Sequence, residues 1–87
     1  MINPITIKDV KMKLGDLCKK KRQSYNMSQE DLGEALGLSR YTIQKFENGK
    51  NATLDTVLKI VNHFGLLPAI TKEIDREIAN QDNISLY

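Results

Sequence analysis

Arg40, Tyr41, Gln44 and Lys45 fall within two helical turns of one another and away from Ile43 and Phe46, which recur at i and i+3. A helix over this stretch therefore has an apolar face that packs and an outer face carrying guanidinium, amide and ammonium donors beside a phenol ring. Such a face can meet base edges in a DNA major groove through hydrogen bonds and apolar contact. The chemistry implied is recognition, and no bond need be made or broken.

Nothing else in the chain assembles into a reaction centre. The cysteine Cys18 and the histidine His63 each stand alone in the sequence, and no Ser-His-Asp set, metal-ligand cluster or phosphate-cradling glycine loop can be built from the remaining residues. Cys18 lies four residues after Leu14 and reads as a core thiol, while His63 reads as a surface or cap residue. The expectation is a binding protein without cofactor, metal or enzymatic activity.

The reading face must be held by other elements, and the stretch from Gln29 to Asn48 supplies them. Ser28 with Asp31 three positions later is a helix start, in which hydroxyl and carboxylate satisfy amides that have no partner within the helix. Leu32 and Leu36 recur at i and i+4, and Gly33 between them lets another backbone approach. Gly37 supplies the left-handed residue that ends this helix, Leu38 is the buried residue of a tight turn, and Ser39 caps the second helix. Two short helices crossing steeply at residues 29–48 follow from this spacing.

Upstream, Thr6 and Asp9 make another capping pair, and Val10, Leu14, Leu17 and Cys18 trace one face of a helix over residues 7–24. Downstream, Asn48 to Asn51 reads as a loop. Thr53 caps a further helix whose buried face comprises Leu54, Val57, Leu58, Ile60, Val61 and Phe64, and Gly65 ends it. The segment from Leu66 to Thr71 admits two readings. It is a short strand pairing between two subunits, or Pro68 opens a fifth helix with Ile70, Ile74 and Ile78 at i, i+4 and i+8. The fold class predicted is all-α, with four or five helices and room for a short C-terminal strand at a dimer interface. The predicted domain covers residues 1–71 and a tail, helical or partly disordered, residues 72–87.

At 87 residues and 9.9 kDa the chain has the size of one small domain with a single core. It has no apolar run long enough to cross a bilayer and no secretory signal, so a cytoplasmic protein without membrane contact is expected. The net charge of +2 conceals an asymmetry: residues 1–50 hold 10 Lys and Arg against 6 Asp and Glu, whereas residues 51–87 hold 3 against 5. The run Lys19 to Arg22 either lies beside a phosphate backbone or completes a solvated helix end.

With these residues in place the chain resembles the phage-repressor and Cro type of helix-turn-helix regulator, the Xre type. The resemblance covers roughly Leu14 to Leu66. It rests on Arg22, on Ser28-Gln29-Glu30-Asp31-Leu32, on Gly37, Ile43 and Glu47-Asn48-Gly49, and on the helix ending in Phe64-Gly65-Leu66. It implies a lambda-repressor-like fold and a homodimeric repressor bound to a palindromic double-stranded operator. It further implies that Arg22 and Glu47 form a structural brace, and that Arg40, Tyr41, Gln44 and Lys45 face bases. Gln29, Thr42, Asn48, Lys50 and Thr53 would then contact phosphates. Gly33 departs from the alanine usual in the family, a change expected to cost some helix stability while leaving the packing intact. An extended segment after Gly65 would instead resemble antitoxins that bind a kinase-like protein toxin and regulate their own operon.

Overall fold

The computed structural model describes residues 4–85, and its helices are α1 (Ile7–Ser24), α2 (Gln29–Leu36), α3 (Arg40–Glu47), α4 (Leu54–His63) and α5 (Leu67–Ser85). Four of the five start on a hydroxyl cap. The side chains of Thr6, Ser28, Ser39 and Thr53 accept hydrogen bonds from the amides of Asp9, Asp31, Thr42 and Thr56, and at Thr6 and Ser28 the acidic side chain returns the bond to close a capping box.

The ends of α1 to α4 follow a single rule. In each, an amide beyond the helix reaches back five residues, from Met27 to Arg22, Leu38 to Gly33, Lys50 to Lys45 and Leu66 to Val61, at 2.8 to 3.2 Å. This closure needs a left-handed residue just before the donor, and the chain places Asn26, Gly37, Gly49 and Gly65 there with φ between 58° and 73°. Three of the four donor residues, Met27, Leu38 and Leu66, then pack against the core. The fourth is Lys50, which is exposed; the motif that follows α3 presents a cation where the others bury an apolar side chain.

The core consists of Cys18, Leu32, Ile43, Phe46, Ile60, Val61 and Phe64. The helix α1 meets it through Gly15, Cys18 and Arg22, residues at i, i+3 and i+7 that define a ridge rotated away from Val10 and Leu17. Those two side chains are therefore exposed, contrary to the face drawn from apolar spacing alone. Leu54 and Leu58 are likewise exposed, since only the Ile60, Val61 and Phe64 side of α4 turns inward, with Val57 partly covered.

Two glycines set the helix crossings. A Cβ on Gly15 would lie 2.5 Å from the Phe46 carbonyl oxygen and 2.8 Å from that of Glu47, so α1 touches the end of α3 backbone to backbone. A Cβ on Gly33 would lie 2.5 Å from the Leu38 carbonyl. The glycine thus gives the turn the close backbone approach expected of it, and the alanine usual in the family, expected to leave the packing intact, would not fit the turn as it stands.

No strand occurs among the described residues, and the segment proposed as a subunit-pairing strand is the start of α5. Gly65 at φ 72° redirects the chain, and Pro68 falls in the first helical turn, where its fixed φ is favourable and its missing N–H would have had no partner. Leu66 and Leu67 hold this turn against the core. From Pro68 through Asp82 every residue is exposed.

Candidate nucleic-acid interface

The second of the crossed helices, α3, is two-sided in the way its sequence implies. Ile43, Phe46 and Glu47 are buried, whereas Arg40, Tyr41 and Gln44 are exposed and Thr42 and Lys45 are half-buried. The Lys45 ammonium lies 5.5 Å from the centre of the Tyr41 ring, a cation-π arrangement that holds a positive charge beside an apolar face. Thr42 shares a hydrogen bond with the Ser39 hydroxyl at 2.8 Å, which fixes the first turn of the helix.

Behind this face lies a buried charge network. Arg22 donates from Nε to Glu47 Oε2 at 2.7 Å and from Nη2 to Glu47 Oε1 at 3.1 Å, and its Nη1 donates to the Met27 carbonyl at 2.6 Å. The two residues are 7% and 6% exposed, so the pair is removed from water and satisfied by geometry. Gln29, the first residue of α2, donates from Nε2 to the same Glu47 Oε1 at 3.0 Å. One carboxylate therefore ties α1, α2 and α3 together. The Gln29 link escapes sequence reasoning because it joins residues 18 apart that only the crossing of the two helices brings together.

The remaining sequence-derived positions gather on one side. A hollow of about 450 Å³ is lined by Tyr41, Gln44, Lys45, Asn48, Lys50 and Asn51. An adjoining one of about 240 Å³ is bounded by Tyr41, Thr42, Lys45, Asn51 and the α4 cap Thr53. Asn51 lines both and accepts a hydrogen bond from the Lys11 ammonium at 2.5 Å, which ties the loop after α3 to α1 across 40 residues. Neither Lys11 nor Asn51 carries a spacing signal that would single it out. Arg40 and Gln29 lie outside these hollows, Arg40 at the N-terminal end of α3 and Gln29 at that of α2.

Local electrostatics follow from the caps. The carboxyls of Asp9 and Asp31 are held below the usual carboxylate range, first by hydrogen bonds from the cap backbone and then by the cap hydroxyls of Thr6 and Ser28. Burial, reinforced by the Glu47 charge and opposed by Lys21, pushes the Cys18 thiol up to about 11. That is a protonated core thiol rather than a nucleophile. Among the described residues no group of three or more His, Cys, Asp and Glu is placed to hold a metal ion, and no helix is long and apolar enough to cross a membrane.

An α2-turn-α3 pair with a packed inner face and a polar, basic outer face, set in an all-α lambda-repressor-like frame, defines a helix-turn-helix domain. The model of the family described as helix-turn-helix matches residues 19–69, and the chain belongs to that family. It is 38% identical over 72 residues to an HTH-type transcriptional regulatory protein of Methanoregula boonei, covering 79% of this chain and 22% of that one. Identity to a protein of the same description from Methanosphaerula palustris is 46% over 50 residues, 58% of this chain and 16% of the relative. The Methanoculleus marisnigri counterpart is 44% identical over 50 residues, with the same coverage of 58% and 16%. This chain thus spans less than a quarter of the length of each of these relatives.

Proposed function

We infer that this chain is a sequence-specific DNA-binding transcriptional regulator, acting as a homodimeric repressor on a palindromic operator. The observation that carries the reading is the division of α3: Ile43, Phe46 and Glu47 anchor it, leaving Arg40, Tyr41, Gln44 and Lys45 turned outward on a rigid helix. A guanidinium or ammonium suits guanine O6 and N7, the glutamine amide suits adenine, and the tyrosine ring suits a thymine methyl. Gln29, Thr42, Asn48, Lys50 and Thr53 grip phosphates on either side of the groove, with Gln29 and the first amides of α2 acting as one anion contact. Arg22 and Glu47 keep α1 and α3 in register with that contact. The relatives named as transcriptional regulators support the same role.

Selection of bound DNA from a random pool tests the reading. A palindrome whose half-sites lie about 34 Å apart is the expected result. Arg40→Ala and Gln44→Ala should each relax one position per half-site by about 1–3 kcal/mol. If both variants protect an unchanged site with unchanged affinity, the base-reading assignment is wrong. The other reading, an antitoxin that holds a kinase-like toxin and represses its own operon, drew on the acidic stretch from Glu73 to Asp82 and on an extended segment after Gly65. That segment is helical, which leaves the homodimeric regulator as the better-supported account.

A further inference from the structure

Two of the apolar surfaces among the described residues have no residue in common. One is the stripe Ile70, Ile74 and Ile78 on α5, of which the last two are 52% and 53% exposed. The other is a groove of about 380 Å³ between the start of α1 and α4, lined by Ile5, Ile7, Val10, Leu14 and Val57; Ile7 at its rim is 77% exposed. The α5 surface is the more telling. In proteins most helical stability comes from packing an apolar face against another element, yet every residue from Pro68 to Asp82 is exposed.

Charge decides what covers them. At 3.6 residues per turn, Glu73 and Glu77 lie along one border of the isoleucine stripe and Asp75 and Asp82 along the other, while Lys72 and Arg76 lie toward the back of the helix. Over residues 72–82 two cations face four acids, a net of −2. Arg76 pairs with Glu73 before it and Glu77 after it, within α5 itself, and the stretch keeps its net of −2 with that pairing counted. Laying α5 on α5 across a two-fold axis would bring acidic border against acidic border. The start of α1 beside the groove has the opposite sign: Lys11 lines it, Lys8 and Lys13 stand exposed on the flanks of the same helix, and over residues 8–13 these three lysines oppose Asp9, a net of +2.

We propose that two copies of this chain associate reciprocally, the isoleucine stripe of α5 in each lying in the apolar groove between α1 and α4 of the other. This rests on the homodimer reading above and supplies its interface. The contact is self-complementary, since one two-fold operation generates both halves. It covers the helix face that the monomer leaves in water, and it sets acids against lysines at both ends.

Analytical ultracentrifugation of the full chain without DNA tests it. Wild type should be a dimer. Ile74→Asp on the helix and Ile7→Asp at the groove should each raise the dissociation constant about 10- to 100-fold. Each site is exposed, so circular dichroism should show the fold retained. The pair Glu73→Lys with Glu77→Lys, or the pair Lys8→Glu with Lys13→Glu, should weaken the dimer roughly 10-fold. All four changes together should restore it. A monomeric wild type overturns the proposal. So does a dimer sensitive to Ile74→Asp and indifferent to Ile7→Asp, which would mean pairing of α5 with α5, or one that the fourfold charge exchange fails to restore. If such a dimer still selects a palindrome, the interface is wrong and the operator reading survives; a monomer that enriches no palindrome removes both.

Discussion

Replacing Glu47 by alanine tests the idea that one buried carboxylate holds the helix-turn-helix pair in place. In the wild-type chain the Arg22 guanidinium is compensated by two contacts to Glu47, at 2.7 and 3.1 Å, and one to the Met27 carbonyl. In Glu47→Ala only the carbonyl remains, and a cation that was 7% exposed is left in the interior without its counter-charge. Breaking a buried pair from one side costs about 3–5 kcal/mol. Disrupting an exposed pair such as Lys20 and Asp16, which meet at 2.9 Å on the open side of α1, costs about 0–1 kcal/mol. Domains are stable by about 5–15 kcal/mol in total, so the Glu47 variant should stand near the edge of unfolding. Urea titration followed by circular dichroism is the assay; with a slope of about 1 kcal/mol per molar, the midpoint should fall by about 3 M or more. Arg22→Met combined with Glu47→Leu should recover most of that loss, because an apolar pair of similar volume has no desolvation to offset. DNA affinity should stay impaired in the double variant, since Gln29 loses its acceptor. A loss below about 1 kcal/mol for Glu47→Ala, or a double variant as unstable as the single, would refute the account of the brace.

Three further outcomes follow from other parts of the fold. Gly15→Ala should lower the melting temperature although alanine is the better helix former by about 0.5–1 kcal/mol, because its Cβ meets two α3 carbonyls and overpacking costs about 1–3 kcal/mol; a variant that melts higher than wild type would contradict the backbone contact. Asp9 and Asp31 have folded-state pKa values below their unfolded ones, so their contribution to stability is complete above the ordinary carboxylate range and is lost as pH falls through the folded values. Stability measured from pH 6 down to about pH 2 should therefore fall less steeply in Asp9→Asn with Asp31→Asn, and an unchanged slope would show that the caps do not drive the acid transition. Cys18, buried and raised to about 11, should react with a thiol reagent at pH 8 only as fast as the chain unfolds, and rapid labelling of the native protein would place it at the surface.

Much of the architecture was legible because its signals are local. Thr6, Ser28, Ser39 and Thr53 each bond an amide three residues on, and Gly37 and Gly65 each adopt the left-handed turn that ends a helix. The split of α3 into packed and exposed faces was equally readable, since Ile43 and Phe46 lie one helical turn apart. Apolar spacing misled where more than one face qualified. On α1 it pointed rightly to Leu14 and Cys18 but also to Val10 and Leu17, which are exposed, and it passed over Gly15; a glycine attracts no notice in an apolar count, yet it alone permits the approach of the α3 carbonyls.

The sequence by itself determined where α1 to α4 start and stop and which side of α3 faces outward, because those outcomes rest on interactions spanning three to five residues. Tertiary structure alone decided the rest. It brought Gln29, 18 residues away, to the carboxylate that the family resemblance pairs with Arg22, and Lys11 to Asn51 across 40. It also made Leu66 to Thr71 the packed entry to a helix rather than a free strand, since Leu66 and Leu67 find the core within reach. A strand there would have needed a partner chain to satisfy its backbone, whereas the helix satisfies its own, and apolar anchorage at one end selects between the two.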